Sequence, residues 1–516
     1  MTACRLILAV GLVLPWLAFV AEVPPADWRD ESIYFLMTDR FRNGDPSNDL
    51  DSVPGKPDWW QGGDLQGVID ELDYIKGLGF SAIWITPVTA QTPGGYHGYW
   101  TADFYAVDPH LGDLAALKRL VATAHGKGLK VVLDVVLNHV GYGHPWQKDG
   151  AHDGWFHDSC AVNYASQRSI EQCWLAGLPD LNTEDPRVRA YLTEWSLWLI
   201  RQTAIDGFRL DTARHLPKDF IVYWSNAVKR EFPRFWIVGE VFSSDYRYQA
   251  DYLQSGMDAV TDFQTYDGIR MGLAPNGDPS RLSWTPALAA AWLPRPDARL
   301  MFIDNHDVPR FVGAPNADPD AVARLEQAIV YLFTMPGTPA LYYGTEVGLS
   351  GGQDPSNRKP MPWQDPPHPE VRPLVTAAAS LRAATPALRT GSYVELRAEG
   401  SLYVYARTLG SDVLVVALNG DATTGAVARI DVTALTSLAG SPDVIADELI
   451  GGSATATAGA VGLGLDVPAR GATVWRLRRP ATPPWALGIA AAVVVVAAVV
   501  GGYLVSRRAR SPLRPR

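Results

Sequence analysis

At 516 residues the chain has room for one to three domains. A composition that is 47% hydrophobic and 10% aromatic, with 18 Trp, supplies a large core and excludes a disordered chain. The formal net charge of -10 excludes a nucleic-acid binder, because no basic field is present to displace counterions from phosphates. For each Trp, core packing is the first reading and stacking on the apolar face of a sugar ring the second.

The chain opens on MTACRLILAVGLVLPWLAFV, where one Arg precedes an apolar stretch. Residues 1–21 read as a secretory signal, with an uncleaved N-terminal anchor as the alternative. Short apolar runs bounded by turns then recur. They are SIYFLMTDRF (32–41), SAIWITPV (81–88), KVVLDVVLNHV (130–140), DGFRLDTA (206–213), FWIVGEVF (235–242), MDAVTDFQ (257–264), RLMFIDNHD (299–307) and TPALYYGTE (338–346). Amphipathic stretches separate several of them; in DLAALKRLVATAHGKG (113–128) the apolar residues return at helical spacing. Repeated strand–helix units build a parallel sheet. Eight of them predict an α/β fold, a closed (β/α)8 barrel of the TIM type, over residues 22–389.

The gap between the third and fourth runs is long. It holds GYGHPWQKDGAHDGWFHD, Cys160, Cys173 and LPDLN before a helix at about 185–203. This predicts a loop-rich subdomain at about 140–180, inserted after strand three beside the barrel mouth. Export permits a Cys160–Cys173 disulfide, whose short loop contributes about 3 kcal/mol in the chain-entropy model. Two free thiols are the alternative. From about residue 390, short runs such as LYVYART and DVLVVALNG, separated by Gly or Asp, predict an antiparallel β-sandwich over 390–479. A linker (480–484) leads to WALGIAAAVVVVAAVVGGYLV at 485–505, which is 21 residues without a charge. SRRARSPLRPR at 506–516 adds five Arg. Length and flanking charge predict a transmembrane helix with a cytoplasmic tail. The expected location is therefore extracytoplasmic, anchored to a membrane at the C-terminal end.

In a parallel barrel, working side chains stand at the C-terminal ends of the strands. Here those ends carry Asp134, Asn138 and His139 in the third run and Arg209 and Asp211 in the fourth. Glu240 closes the fifth, and Asn305, His306 and Asp307 the seventh. Residues i and i+2 on a strand share a face, so Arg209 and Asp211 point inward together. Burial of an uncompensated charge costs several kcal/mol, so three acids at one rim serve either chemistry or an ion-pair network around Arg209. Asp211, Glu240 and Asp307 suit glycosidic bond cleavage. That reaction needs one carboxylate as nucleophile and one carboxylic acid to protonate the leaving oxygen. Burial and neighbouring negative charge raise the pKa of such an acid.

DVVLNHV, GFRLDTARH, GEVF and FIDNHD match, in order and at suitable spacing, the four signature regions of the α-amylase superfamily of retaining glycoside hydrolases. LPDLN matches its fifth, and GYHGYW (95–100) and DPSNR (354–358) add two further stretches. On these motifs, residues from about 30 to 478 resemble that superfamily, with likeness to α-amylases, cyclodextrin glucanotransferases and neopullulanases. The resemblance implies Asp211 as nucleophile, Glu240 as general acid/base, and Asp307 as the carboxylate that grips sugar hydroxyls and stabilises the transition state. It implies that Arg209 orients the nucleophile and keeps it ionised. His139 and His306 resemble hydroxyl ligands, and Tyr99 a stacking platform. Asp354 and Arg358 resemble contacts on the non-reducing side, and Arg214, His215 and Phe242 contacts on the leaving-group side. The family commonly carries Lys where Arg214 stands.

Calcium is the cofactor that the resemblance implies. Asn138 and Asp180 resemble side-chain ligands of a site between barrel and insertion, with the backbone carbonyl of His215 as a third. Oxygen-only ligands suit a hard cation. NGDPSND (43–49) with GGD (62–64) resembles a second site found in cyclodextrin glucanotransferases, at Asn43, Asp45, Asn48, Asp49, Gly62 and Asp64. A plain Asx-rich turn is the alternative there. The expected function is cleavage of α-1,4-glucosidic bonds in starch or maltodextrin by a monomer, with no nucleic-acid partner. The chain ends before the additional domains typical of the cyclodextrin-forming relatives, so hydrolysis is expected over transfer. The alternatives are an α-glucan transglycosylase, a neopullulanase-like or cyclomaltodextrinase-like hydrolase, and a non-catalytic membrane-bound sugar-binding or transporter-partner protein.

Overall fold

Eight short parallel strands close on themselves in a computed structural model that describes residues 27–313, 318–431, 435, 445–451, 456–459 and 462–479. In chain order they are β1 (Ile33–Leu36), β2 (Ala82–Ile85), β3 (Lys130–Val135) and β4 (Gly207–Leu210), followed by β5 (Trp236–Gly239), β6 (Ala259–Thr261), β7 (Arg299–Phe302) and β8 (Thr338–Tyr342). Each lies inside one of the eight apolar runs, and around the barrel they pair in chain order, β8 closing on β1. The expected TIM barrel is therefore present. All strand residues but Lys130 are buried. A strand covered on both faces reads as a continuous apolar run rather than as an alternation, which is why these strands were visible as runs.

The helices obey local rules. Leu114–Gly126 starts on Asp113, whose carboxylate accepts from the amide of Ala116. Pro186–Thr203 is capped by Asp185, carries its Pro at the first position, and stops at Ala204 in the left-handed region. Between β3 and β4 the chain makes the expected insertion. Two isolated antiparallel bridges, His139 to Asp180 and Phe156 to Leu181, close this segment on itself just beyond the end of β3. Cys160 and Cys173 are joined in a disulfide. An antiparallel hairpin, Thr89–Gln91 with Thr101–Val107, adds to the expected elements; its first strand has only three residues and its register shifts twice, so no alternation marks it.

The C-terminal region forms two antiparallel sheets. One runs Ser392–Glu399, Leu402–Leu409, Asp412–Asn419, Ala472–Arg478, Ile445–Ile450; the other runs Ala426–Ile430, Gly462–Val467, Ala456–Gly459. Val404, Val415 and Trp475 of the first share a core with Ala428, Ile430 and Leu465 of the second, which makes the expected sandwich. Two arginines are buried nearby: Arg382 joins segments of the barrel unit to one another, and Arg407, in the sandwich strand Leu402–Leu409, reaches across to that unit. Arg382 donates to the carbonyls of Phe333, Met335, Leu388, Arg29 and Gly337. Arg407 donates to those of Thr334, Leu388 and Gly391. Burial pushes Arg382 down to about 9 and Arg407 down to about 10. Among the described tryptophans only Trp284 and Trp292 are exposed, so core packing explains most of the Trp content.

The expected location needs correction. Among the described residues no helix is long and apolar enough to cross a membrane. The segments that suggested export and anchoring, the signal at 1–21, the linker at 480–484, the span at 485–505 and the tail at 506–516, lie outside the described residues. An extracytoplasmic, membrane-anchored placement is accordingly not retained.

Replacing Arg382 by Met strands five backbone acceptors within the barrel unit. The expected cost is about 3 kcal/mol or more, seen as a lowered Tm in thermal unfolding. An unchanged Tm would show that the carbonyls are satisfied without it.

Candidate active site

β3 and β4 are in register so that Asp134 stands opposite Arg209. Arg209 is 1% exposed, and its guanidinium is the hub of the barrel mouth. Nη1 donates to both oxygens of Asp134 at 3.0 Å and to Oδ1 of Asp211 at 2.7 Å. Nη2 pairs with Oε1 of Glu240 at 2.7 Å and lies 4.0 Å from Oδ2 of Asp307. Four acids from four strand ends thus surround one cation.

One positive charge cannot balance three buried negative ones, Asp134, Asp211 and Glu240, with the half-buried Asp307 beside them, so protons must be kept. Burial, helped by Asp211 and Asp307, raises Glu240 to about 8 against the pull of Arg209. Burial likewise raises Asp134 to about 7. Asp134 also accepts from Tyr99 Oη at 2.9 Å and Trp84 Nε1 at 3.3 Å. Burial works against ionisation of Asp307 too, but the guanidinium groups of Arg358 and Arg209 outweigh it and lower its pKa. The two histidines are neutral: burial lowers His306 to about 3 and lowers His139 as well. Their ring nitrogens are therefore set to exchange hydrogen bonds with hydroxyls. Tyr99 stacks on His306 with centroids 5.2 Å apart, and its carbonyl accepts from His139 Nε2 at 3.1 Å.

The cleft above this hub has a volume of about 710 Å³. Tyr99, His139, Asp211, Arg214, His215, Glu240, Phe242, His306, Asp307, Asp354 and Arg358 all line it, with Arg209 beneath. On one side Arg358 pairs with Asp354 at 3.2 Å and lies 3.5 Å from Asp307. On the other, Arg214 donates to the Phe242 carbonyl at 2.7 Å, and its guanidinium lies over the rings of Tyr164 and Tyr248. His215 Nδ1 meets the Ile170 carbonyl at 2.9 Å. The sequence had indicated every one of these except the partners. His97 and Trp100 also line the cleft, and both stand in GYHGYW. Tyr142 and Tyr164 line it from the irregular insertion, where no periodicity marks them.

The two expected cation sites differ. The bridge between His139 and Asp180 brings Asn138 beside Asp180, each 1% exposed. Oδ2 of Asp180 accepts from His157 Nδ1 at 2.6 Å, but Oδ1 is buried without a partner. An orphaned buried carboxylate oxygen beside an amide fits a hard cation. At the other site the residues gather but bond among themselves. Asp64 accepts from the amides of Gly44, Asp45 and Gly67, capping the helix at Leu65–Asp70. Asp45 accepts from Ser47, and Asn43 donates to Asp49 at 2.8 Å beside Gly62. Asn48 adjoins the carbonyls of Asp45 and His110. These are the bonds of an Asx-rich turn. Among the described residues no group of three or more His, Cys, Asp and Glu side chains could hold a metal ion.

Residues 35–372 match the family model described as alpha amylase, catalytic domain. The chain is 39% identical over 415 residues to the beta/alpha-amylase of Paenibacillus polymyxa, covering 76% of this chain and 34% of that protein. It thus spans about a third of that relative's length. It is 34% identical over 425 residues to a cyclomaltodextrinase of a Bacillus species, covering 77% and 74% of the two chains. A solved Anoxybacillus alpha-amylase superposes with a TM-score of 0.82 at 38% identity, covering 88% of this chain and 99% of that one.

Replacing Arg209 by Met leaves four acids around an empty centre. The expected loss is about 3–5 kcal/mol, measured by thermal unfolding. Adding Asp134→Asn should recover part of it by removing one of those charges. An Arg209→Met variant as stable as the parent would contradict the hub.

Proposed function

As the chain belongs to the alpha-amylase family, we propose that it is a retaining glycosidase cleaving α-1,4-glucosidic bonds of starch and maltodextrins. One observation carries this reading. Asp211 and Glu240 sit on the two terminal nitrogens of a single guanidinium. That arrangement favours the short separation of retaining enzymes, about 5–5.5 Å, over the wider one that admits a water between the acids.

Each residue then has a task. An α-glucan chain lies in the cleft with one sugar over Tyr99. Asp211 attacks the anomeric carbon while Glu240, protonated because its pKa is raised, gives its proton to the glycosidic oxygen. The bond breaks, the shortened chain leaves, and the sugar is held as an ester of Asp211. The Glu240 carboxylate next takes a proton from a water, whose oxygen attacks the anomeric carbon and frees Asp211. Asp307, His306 and Arg358 hold hydroxyls of the reacting sugar, and His139 assists. Arg214, His215 and Phe242 meet the departing chain, and Asp354 the far end.

A sugar hydroxyl in place of that water would make a transferase. The likeness to a cyclomaltodextrinase supports a second reading, in which cyclic glucans are opened by the same residues. Calcium is proposed at Asn138, Asp180 and the His215 carbonyl, where it would brace the insertion against the barrel. The Asn43–Asp49 turn, with Gly62 and Asp64, is satisfied by its own hydrogen bonds, and no cation is proposed there. We also propose a division into a catalytic unit (22–389) and a sandwich (390–479), which the separate sheets support.

Incubation with maltoheptaose should give only shorter maltooligosaccharides, and Glu240→Gln should lower kcat by about 10²–10⁴ with the sugar still bound. Activity should fall as pH rises through about 8, because the acid form of Glu240 is present below its raised pKa and lost above it. Products longer than the substrate would make the enzyme a transferase, and full turnover by Glu240→Gln would remove Glu240 from its role. Chelation with EDTA should lower Tm and added calcium restore it, since a cation bound only to the folded state stabilises it. A Tm indifferent to both would exclude the proposed site.

A further inference from the structure

Thr212 follows Asp211 at the end of β4 and departs from the regular backbone around it. The amide of Asp211 still belongs to the barrel ladder, donating to the Val135 carbonyl at 2.9 Å. At Thr212 the chain turns, with φ +46° and ψ +33°. This is the left-handed region, which a β-branched residue rarely enters. The side chain does not account for the turn, since its hydroxyl is buried without a partner. What the turn does is aim the backbone N–H, which donates to Oε2 of Glu240 at 2.8 Å. The other oxygen, Oε1, meets Arg209, a cation already shared with Asp134 and Asp211.

We infer that Thr212 is a positioning residue. Its strained turn directs a backbone N–H onto Glu240, which fixes the carboxyl in the cleft and favours the ionised form that accepts the proton of the incoming water. This rests on the reading of Glu240 as acid/base. The charged groups facing Glu240 are Arg209, Asp211 and Asp307; the Thr212 amide is a neutral donor among them. A donor aimed at a carboxylate favours its charged form and so opposes the effect of burial and of the two neighbouring acids. Backbone strain at such a place is a common mark of a functional constraint.

Incorporating the α-hydroxy analogue of threonine at position 212 turns the Asp211–Thr212 amide into an ester, which puts an oxygen in place of this N–H and keeps the side chain. The alkaline limb of kcat/KM on maltoheptaose should then move up by about one pH unit. Thr212→Gly enters the same φ without strain and keeps the N–H, so its limb should stay where the parent's lies. A limb unmoved in the ester, or moved as far in Thr212→Gly, overturns the inference. A second measurement needs no change at position 212. In protein labelled with 15N-threonine, the Thr212 amide resonance should titrate with the midpoint of that limb and lose the response in Glu240→Gln. An amide that does not respond overturns the inference whether or not the ester protein folds. Failure of the Glu240 reading looks different: Glu240→Gln would then keep both its turnover and its alkaline limb.

Discussion

A single buried guanidinium shared among four carboxylates is the constraint around which the barrel mouth is organised. Arg209 alone cannot neutralise Asp134, Asp211, Glu240 and Asp307, and the first three are buried from water. The deficit is met by holding protons, by neutral donors such as Tyr99 and the Thr212 amide, and by Arg358 at the rim. Because each acid has a different share of these partners, their affinities for protons separate. Glu240 is driven up and Asp307 is driven down, although both face the same cleft. Divergence of this kind is what lets carboxyl groups take different roles in one reaction.

The fold makes such crowding tolerable. Strand ends in a closed parallel barrel converge, and each places its last side chain where a neighbour's also points. Packing below is apolar and continuous, so the cost of the charged layer is spread over a large core. The insertion between β3 and β4 is closed on itself by two bridges and a disulfide and supplies one wall of the cleft. The hairpin at Thr89–Gln91 and Thr101–Val107 brings Tyr99 over Arg209 from the other side.

Much of this was legible in the sequence, for reasons that can be named. The barrel strands are buried on both faces, so each appears as an apolar run, and the polar residues that end the runs are the site itself. Arg209 and Asp211 could be placed on one face from their spacing alone. Other features leave no such trace. The left-handed turn at Thr212 arises where the ladder ends, and a Thr gives no hint of positive φ. The aromatic wall of Tyr142 and Tyr164 comes from irregular backbone without a period. The pairing of Asp180 with His157 depends on how the insertion folds back, which residue types do not specify. The apolar stretches at the two ends were read as export and anchoring signals from length and charge, a reading the described residues do not carry.

The account turns on Asp211 and Glu240 acting from opposite roles in a double displacement. The anomeric configuration of the first product reports on this directly. Proton NMR of a fresh maltoheptaose digest, followed before mutarotation sets in, should show the α-anomer first, drifting later to the equilibrium mixture. The β-anomer appearing first would mean a single displacement by water, and would contradict the assignment of Asp211 as nucleophile.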